Sequence, residues 1–289
     1  MLEVDRRTFI ASLGGAASVA LMTHEARADA LEDALLAQTD TGAPKRAAQA
    51  TSAAAQPAAG DPTAPFPTAA EIEAEITTRP YRRGAGALFY NNGADAKVER
   101  LSKMPAQPTL VDFFEHRFTH TRNHCFQSAN KARQRGADEE VVFACLLHDT
   151  VQELVRSDHG YWGAQIYEPY VSERTAFAIK YHQPLRFYED KEAGYEYPDL
   201  YRRIFGVDYV PATHVQAAYK YARAHRWYDA PREVTVSDLY AFDPNAVVGL
   251  EPFRDLIGRH FKQPKEGLGN DDSPVAHMWR TIANPDAPL

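Results

Sequence analysis

The stretch CLLHDTVQEL, Cys145 to Leu154, ends an apolar run with a histidine and an aspartate side by side. Adjacent residues on a helix point about 100° apart and share no face, so a plain core helix has little use for both. Imidazole and carboxylate are metal-ligand types. Another histidine, His124, lies 24 residues before His148, a spacing that two antiparallel helices with a short connection can close. Asp149 projects sideways from the same turn as His148, where a carboxylate can bridge two metal ions. His159 follows His148 by 11 residues. In an unbroken helix that is the same face but about 16 Å along the axis. The chain must therefore turn between them, and Ser157 and Asp158 read as that turn and cap.

The elements that would position these groups are helical. TLVDFFEHRFTHTRNHCFQSANKARQRG carries apolar or histidine residues at helix spacing and stops at Gly136. Asp138 caps a second helix through EEVVFACLLHDTVQELV, and HGYWGAQIYE runs to Pro169. Ser172 caps VSERTAFAIKYH, and ATHVQAAYKYARAHRWYDA is a long helix stopped by Pro231. FRDLIGRHF and PVAHMWRTIAN add two short helices near the C-terminus. Strand patterns are scarce, so the expected fold class is all-α.

Taken together, HCFQSA, GADEEVVFACLLHD, DHGYWGAQIYEPYV, AIKYH and RWYD resemble the HD-domain superfamily over about residues 110–230. More narrowly, they are similar to members with two metals and six protein ligands, the mixed-valence diiron oxygenases that cleave inositol and organophosphonates. The resemblance implies a helical bundle around a dinuclear site. It implies the ligands His124, His148, Asp149, His159, His182 and Asp229. His116 and His120 lie eight and four residues before His124 on one face and are alternatives for the first ligand, with Gln127 in H-x-x-Q favouring His124. The chain departs from the common pattern at Gln152, where many relatives carry histidine, and at Tyr228, where relatives often carry a second acid.

The resemblance implies two metal ions, iron for an oxygenase that takes O₂ and a small hydroxylated or anionic substrate, manganese or magnesium for a phosphohydrolase. A non-catalytic sensor on the same scaffold is a third reading. His120, Lys131, Gln152, Lys180 and Arg226 are candidate substrate contacts, with Arg186 and Arg223 as further basic residues nearby. His225, one turn before Asp229, is expected to bond to a neighbouring group. The Gly/Pro-rich C-terminal tail is open between a lid and simple packing; its acids Asp271 and Asp272 are the fallback ligands.

The 289-residue chain has a net charge of −7, which argues against nucleic acid as a partner and against an anionic membrane surface. No unbroken apolar run approaches the roughly 18 residues of a membrane span. Two cysteines, Cys125 and Cys145, make no disulfide framework and read as small buried residues. Residues 1–28 resemble a twin-arginine signal, with Arg6, Arg7 and an Ala26-Arg27-Ala28 cleavage pattern. That implies the twin-arginine export machinery as a partner and a periplasmic or extracellular destination. Residues 29–70, rich in Ala, Thr and Pro, read as a disordered spacer, with the folded domain over 71–289.

Overall fold

The computed structural model describes residues 101–155 and 158–284. The expected signal, the spacer and the start of the domain at Glu71 lie outside the described residues. Within them the protein is helical, with no strand and one isolated bridge between Asp190 and Tyr195. The helices are α1 (Leu110–His116), α2 (Arg122–Gln134), α3 (Glu139–Leu147), α4 (His159–Tyr167), α5 (Glu173–Leu185), α6 (Asp199–Phe205), α7 (Thr213–Ala224), α8 (Asp229–Leu239), α9 (Arg254–His260) and α10 (Ala276–Ala283). A 3-10 turn over Thr150–Glu153 follows α3, and another over Glu251–Phe253 precedes α9.

Helix α3 is the centre of the fold. Its run from Val141 to Leu147 is buried on every side, the signature of a helix enclosed by others. Helices α2, α5 and α8 pack around it, and α4 packs on α5. Two of the expected caps are formed: the Asp138 carboxylate accepts from Val141 N at 3.1 Å and the Ser172 hydroxyl from Thr175 N at 3.1 Å. Helix α1 starts with a capping box in which Thr109 and Asp112 exchange hydrogen bonds.

Three expectations about continuity are corrected. The first long helix is two, because the chain leaves helical geometry between His116 and Arg122. His116 and His120 therefore do not share a face with His124. The second expected helix stops at Leu147, where His148 is the C-cap. The third correction concerns Pro231. It sits in the first turn of α8, where proline's missing N–H has no intrahelical partner to lose, so it opens a helix instead of stopping one.

The C-terminal tail packs against the start of the described chain. The Arg117 guanidinium donates to Ala283 O at 2.8 and 2.6 Å, and Leu268 N donates to Pro108 O at 2.8 Å. Trp279 is fully buried, edge-on to Phe113 at 4.7 Å. Tyr170 donates to Asp271 at 2.7 Å. This end is a structural clasp, and neither Asp271 nor Asp272 joins the buried cluster described below.

Candidate metal centre

His148 and Asp149 both reach the interior because α3 ends between them. His148 keeps helical angles as the C-cap, while Asp149 turns off at φ −108° and ψ −2°. Neighbours that would diverge on a helix can then converge on one point. The His148 Nδ1 bonds to Cys145 O at 2.8 Å, capping a carbonyl left over at the helix end. His124 comes from the first turn of α2, and its Nδ1 bonds to Ala241 O at 3.2 Å. His182, near the end of α5, repeats the His148 pattern with Nδ1 on Ile179 O at 2.6 Å. His159 opens α4 directly after Asp158, which has the left-handed φ of 53° and redirects the chain.

These contacts fix the tautomers. With each Nδ1–H given to a carbonyl, Nε2 of His124, His148 and His182 is the inward-facing atom that can take a metal or, as on metal-free His124, a proton. The Nε2 atoms of His124 and His148 lie 3.2 Å apart, and those of His182 and His159 lie 3.3 Å apart. Converging lone pairs repel unless a cation or a proton lies between them.

Asp149 sits among all four imidazoles. Its Oδ2 is 3.2 Å from His124 Nε2, and its Oδ1 is 3.2, 3.4 and 3.6 Å from Nε2 of His159, His148 and His182. None of these approaches is aligned as a hydrogen bond, and both oxygens are fully buried without a donor. An orphaned buried carboxylate is costly; a divalent cation removes the cost. The donors fall into two groups, His124, His148, Asp149 and Asp238 in one, Asp149, His159 and His182 in the other. Mixed imidazole and carboxylate donors suit first-row transition metals. The buried cluster could hold metal ions, and its residues fit that role. The helical architecture around it is compatible with an HD-type fold.

Asp238 is the residue that the sequence reading missed. Its Oδ1 is 3.0 Å from His124 Nε2 and has no hydrogen-bond donor. Asp229, expected in that place, is a surface residue with a 67 % exposed side chain, bonded to Arg174 at 2.8 Å. The physical reason is helical phase. Both aspartates belong to α8, nine residues apart, which is about 180° around the helix. One therefore faces solvent when the other faces the core. A signal was present in VTVSDL: an acid ends the buried run Val234 to Ser237, as Asp149 ends the run in α3. Thr235, one turn earlier on the same face, donates to His182 O at 2.9 Å and locks α8 against α5.

The electrostatics follow from burial and these contacts. Burial disfavours a charged His124, yet the close carboxylates of Asp149 and Asp238, at 3.2 and 3.0 Å, outweigh it and push its pKa up to about 10. For His182 burial dominates and brings the pKa down to about 4. Burial would raise both carboxylates, but the surrounding histidines hold Asp149 and Asp238 well below their usual range.

The candidate substrate contacts scatter. Lys131 and Arg226 are exposed, with Arg226 lying over the Trp227 ring at 4.6 Å. His120 is half-buried in the break between α1 and α2. Lys180 lines a separate cavity. Gln152 is buried three residues after Asp149, and its amide nitrogen has no hydrogen-bond partner. His225 stacks on Phe177 at 4.2 Å and accepts from Trp227 N at 3.2 Å. Arg223 pairs with Asp190 at 3.6 Å. Gln127 holds the segment after α8: it donates to Asp243 O at 2.9 Å and accepts from Asp243 N at 3.0 Å. That segment carries Ala241 and also Phe242, which stacks on His124 at 4.3 Å. No family model matches the chain, and no curated protein matches it significantly.

Proposed function

We propose that the chain is an HD-type metalloenzyme whose two donor groups, with Asp149 common to both, would hold two iron ions, and that it uses O₂ to oxidise a small hydroxylated or anionic substrate. The observation carrying this reading is that two donor groups share one carboxylate, with four imidazoles and a second carboxylate around it. The second group has three donors against four in the first, which leaves room for an exogenous ligand. Bound iron would supply one-electron and O₂ chemistry.

The chain's own contribution is positioning and exclusion of water. Backbone carbonyls aim three of the four imidazoles, those of His124, His148 and His182. Asp238, with an 11 % exposed side chain against 0–2 % for the other five, marks the side from which a substrate approaches. Gln152 offers a buried amide donor next to the Asp149 turn. We also propose export as a folded protein by the twin-arginine route, on the N-terminal resemblance alone.

The test is purification without oxygen or chelators, metal analysis and paramagnetic resonance, then O₂ uptake with small polyols and hydroxyphosphonates. Two irons per chain, magnetically coupled, with substrate-dependent O₂ consumption support the proposal. Phosphate release from p-nitrophenyl phosphate by a manganese-loaded, anaerobic sample, without O₂ uptake under any loading, would replace it with a phosphohydrolase. A chain with no affinity for iron or manganese would leave a binding module.

A further inference from the structure

Between α4, α5 and α7 is a cavity of about 340 Å³. Its walls come from α4, α5 and α7 and include Tyr161, Trp162, Lys180, Tyr181, Arg186 and His214. None of the six cluster residues lines it. Lys180 and Pro184, two residues either side of His182, lie about 160° from it around the helix. Asp158 and Gln183, the sequence neighbours of His159 and His182, and Arg186, one turn after His182, bring the lining up beside the cluster, with no cluster residue in it.

The lining is unusual for an idle surface depression. Tyr161 and Trp162 meet edge to face at 5.2 Å and are 46 % and 42 % exposed. The Lys180 ammonium lies 5.4 Å from the Tyr161 ring centre and 5.5 Å from that of Tyr181, so a positive charge is held among aromatic faces. Arg186 is a nearly buried cation, 5.1 Å from the Phe187 ring. Among the described residues of the lining, Asp158 is the one carboxylate. Flat apolar walls with a few convergent polar groups are the usual make-up of a small-molecule site, and guanidinium with ammonium selects a carboxylate-like anion.

We propose that this cavity is a second ligand site, separate from the His/Asp cluster, for a small organic anion with a planar aromatic body. Its anionic end meets Lys180 and Arg186, and its ring packs among Tyr161, Trp162 and Tyr181. This site does not depend on which metal, if any, fills the cluster.

The experiment is calorimetric titration of the full chain with 2-naphthoate and, in parallel, with the neutral 2-naphthylmethanol. One saturable site per chain is expected for the anion, with the alcohol weaker by about tenfold or more, the scale of one charge-assisted hydrogen bond. Lys180→Gln and Trp162→Ala should each weaken naphthoate by about tenfold. Both positions are partly exposed, and an unchanged melting curve establishes that each variant is folded. Stripping metal with a chelator should leave naphthoate binding unchanged. No saturable binding at millimolar naphthoate, equal binding of the alcohol, or full affinity in both variants overturns the proposal. Loss of binding on metal removal also overturns it, by placing the anion on the metal centre.

Discussion

Replacing Asp238 by asparagine, with Asp229→Asn alongside it, separates the buried acid from the exposed one on the same helix. Asparagine keeps the shape and removes the charge that the cluster supplies from α8. A metal present at about 100 times its dissociation constant adds about 2.7 kcal/mol to the stability of the folded state. If loss of the Asp238 charge weakens binding by about tenfold to hundredfold, about 1.3 to 2.3 kcal/mol of that increment disappears. For a domain of this size each kcal/mol moves the melting temperature by about 2–4 °C, so the metal-dependent shift should shrink by about 3–9 °C. Asp229 offers a contrast: its ion pair with Arg174 is largely exposed, and such pairs contribute about 0.2–1 kcal/mol, with or without metal. The assay is differential scanning fluorimetry with and without iron or manganese, together with metal content after gel filtration. Asp238→Asn should lose metal and most of the shift; Asp229→Asn should retain both. The opposite pattern would refute the phase argument for α8 and return Asp229 to the site.

Four further outcomes are expected. Gly160→Ala places a Cβ 3.0 Å from Ile179 O and 3.2 Å from His182 Cε1; it should cost about 1–3 kcal/mol by overpacking and lower metal occupancy, whereas Gly258→Ala in α9, with nothing within 4 Å, should stabilise by about 0.5–1 kcal/mol, both read by melting and metal analysis. Metal affinity should rise with pH, because the metal-free site holds a proton on His124 with a pKa near 10 that the metal must displace; titrations in buffers of different ionisation enthalpy should show proton release below that pH. The same raised pKa means that, in the metal-free protein, the stability His124 contributes is full below about pH 6.5 and fades as pH climbs toward 10, which melts of metal-free wild type against His124→Gln would reveal. Asp190 accepts from Tyr228 at 2.5 Å, and although burial opposes it, this bond and nearby arginines depress its pKa; its contribution is present above about pH 4 and lost as pH falls further, so Asp190→Asn should flatten the acid limb of the stability profile.

The sequence by itself determined what depends on local pattern. The helical class followed from apolar spacing, and the Asp138 and Ser172 caps from short-range chemistry. His148 and Asp149 stood out because polar ligand types have no place at the end of a wholly apolar run without partners. The 24-residue spacing to His124 sufficed because α2 and α3 are antiparallel neighbours joined by a short connection, so their contact is nearly local. What only the tertiary structure decided is phase and continuity. Whether Pro231 ends one helix or begins another depends on where α7 stops and on what α8 packs against, and that choice turns Asp238 inward and Asp229 outward. The break between His116 and Arg122 is likewise a packing outcome, since the same residues read as one continuous helix by periodicity. Side chains from α2, α3, α4, α5 and α8 meet at Asp149 because α2, α5 and α8 pack around α3 and α4 packs on α5 and on the turn after α3, and no one-dimensional spacing encodes a convergence of five elements on one carboxylate.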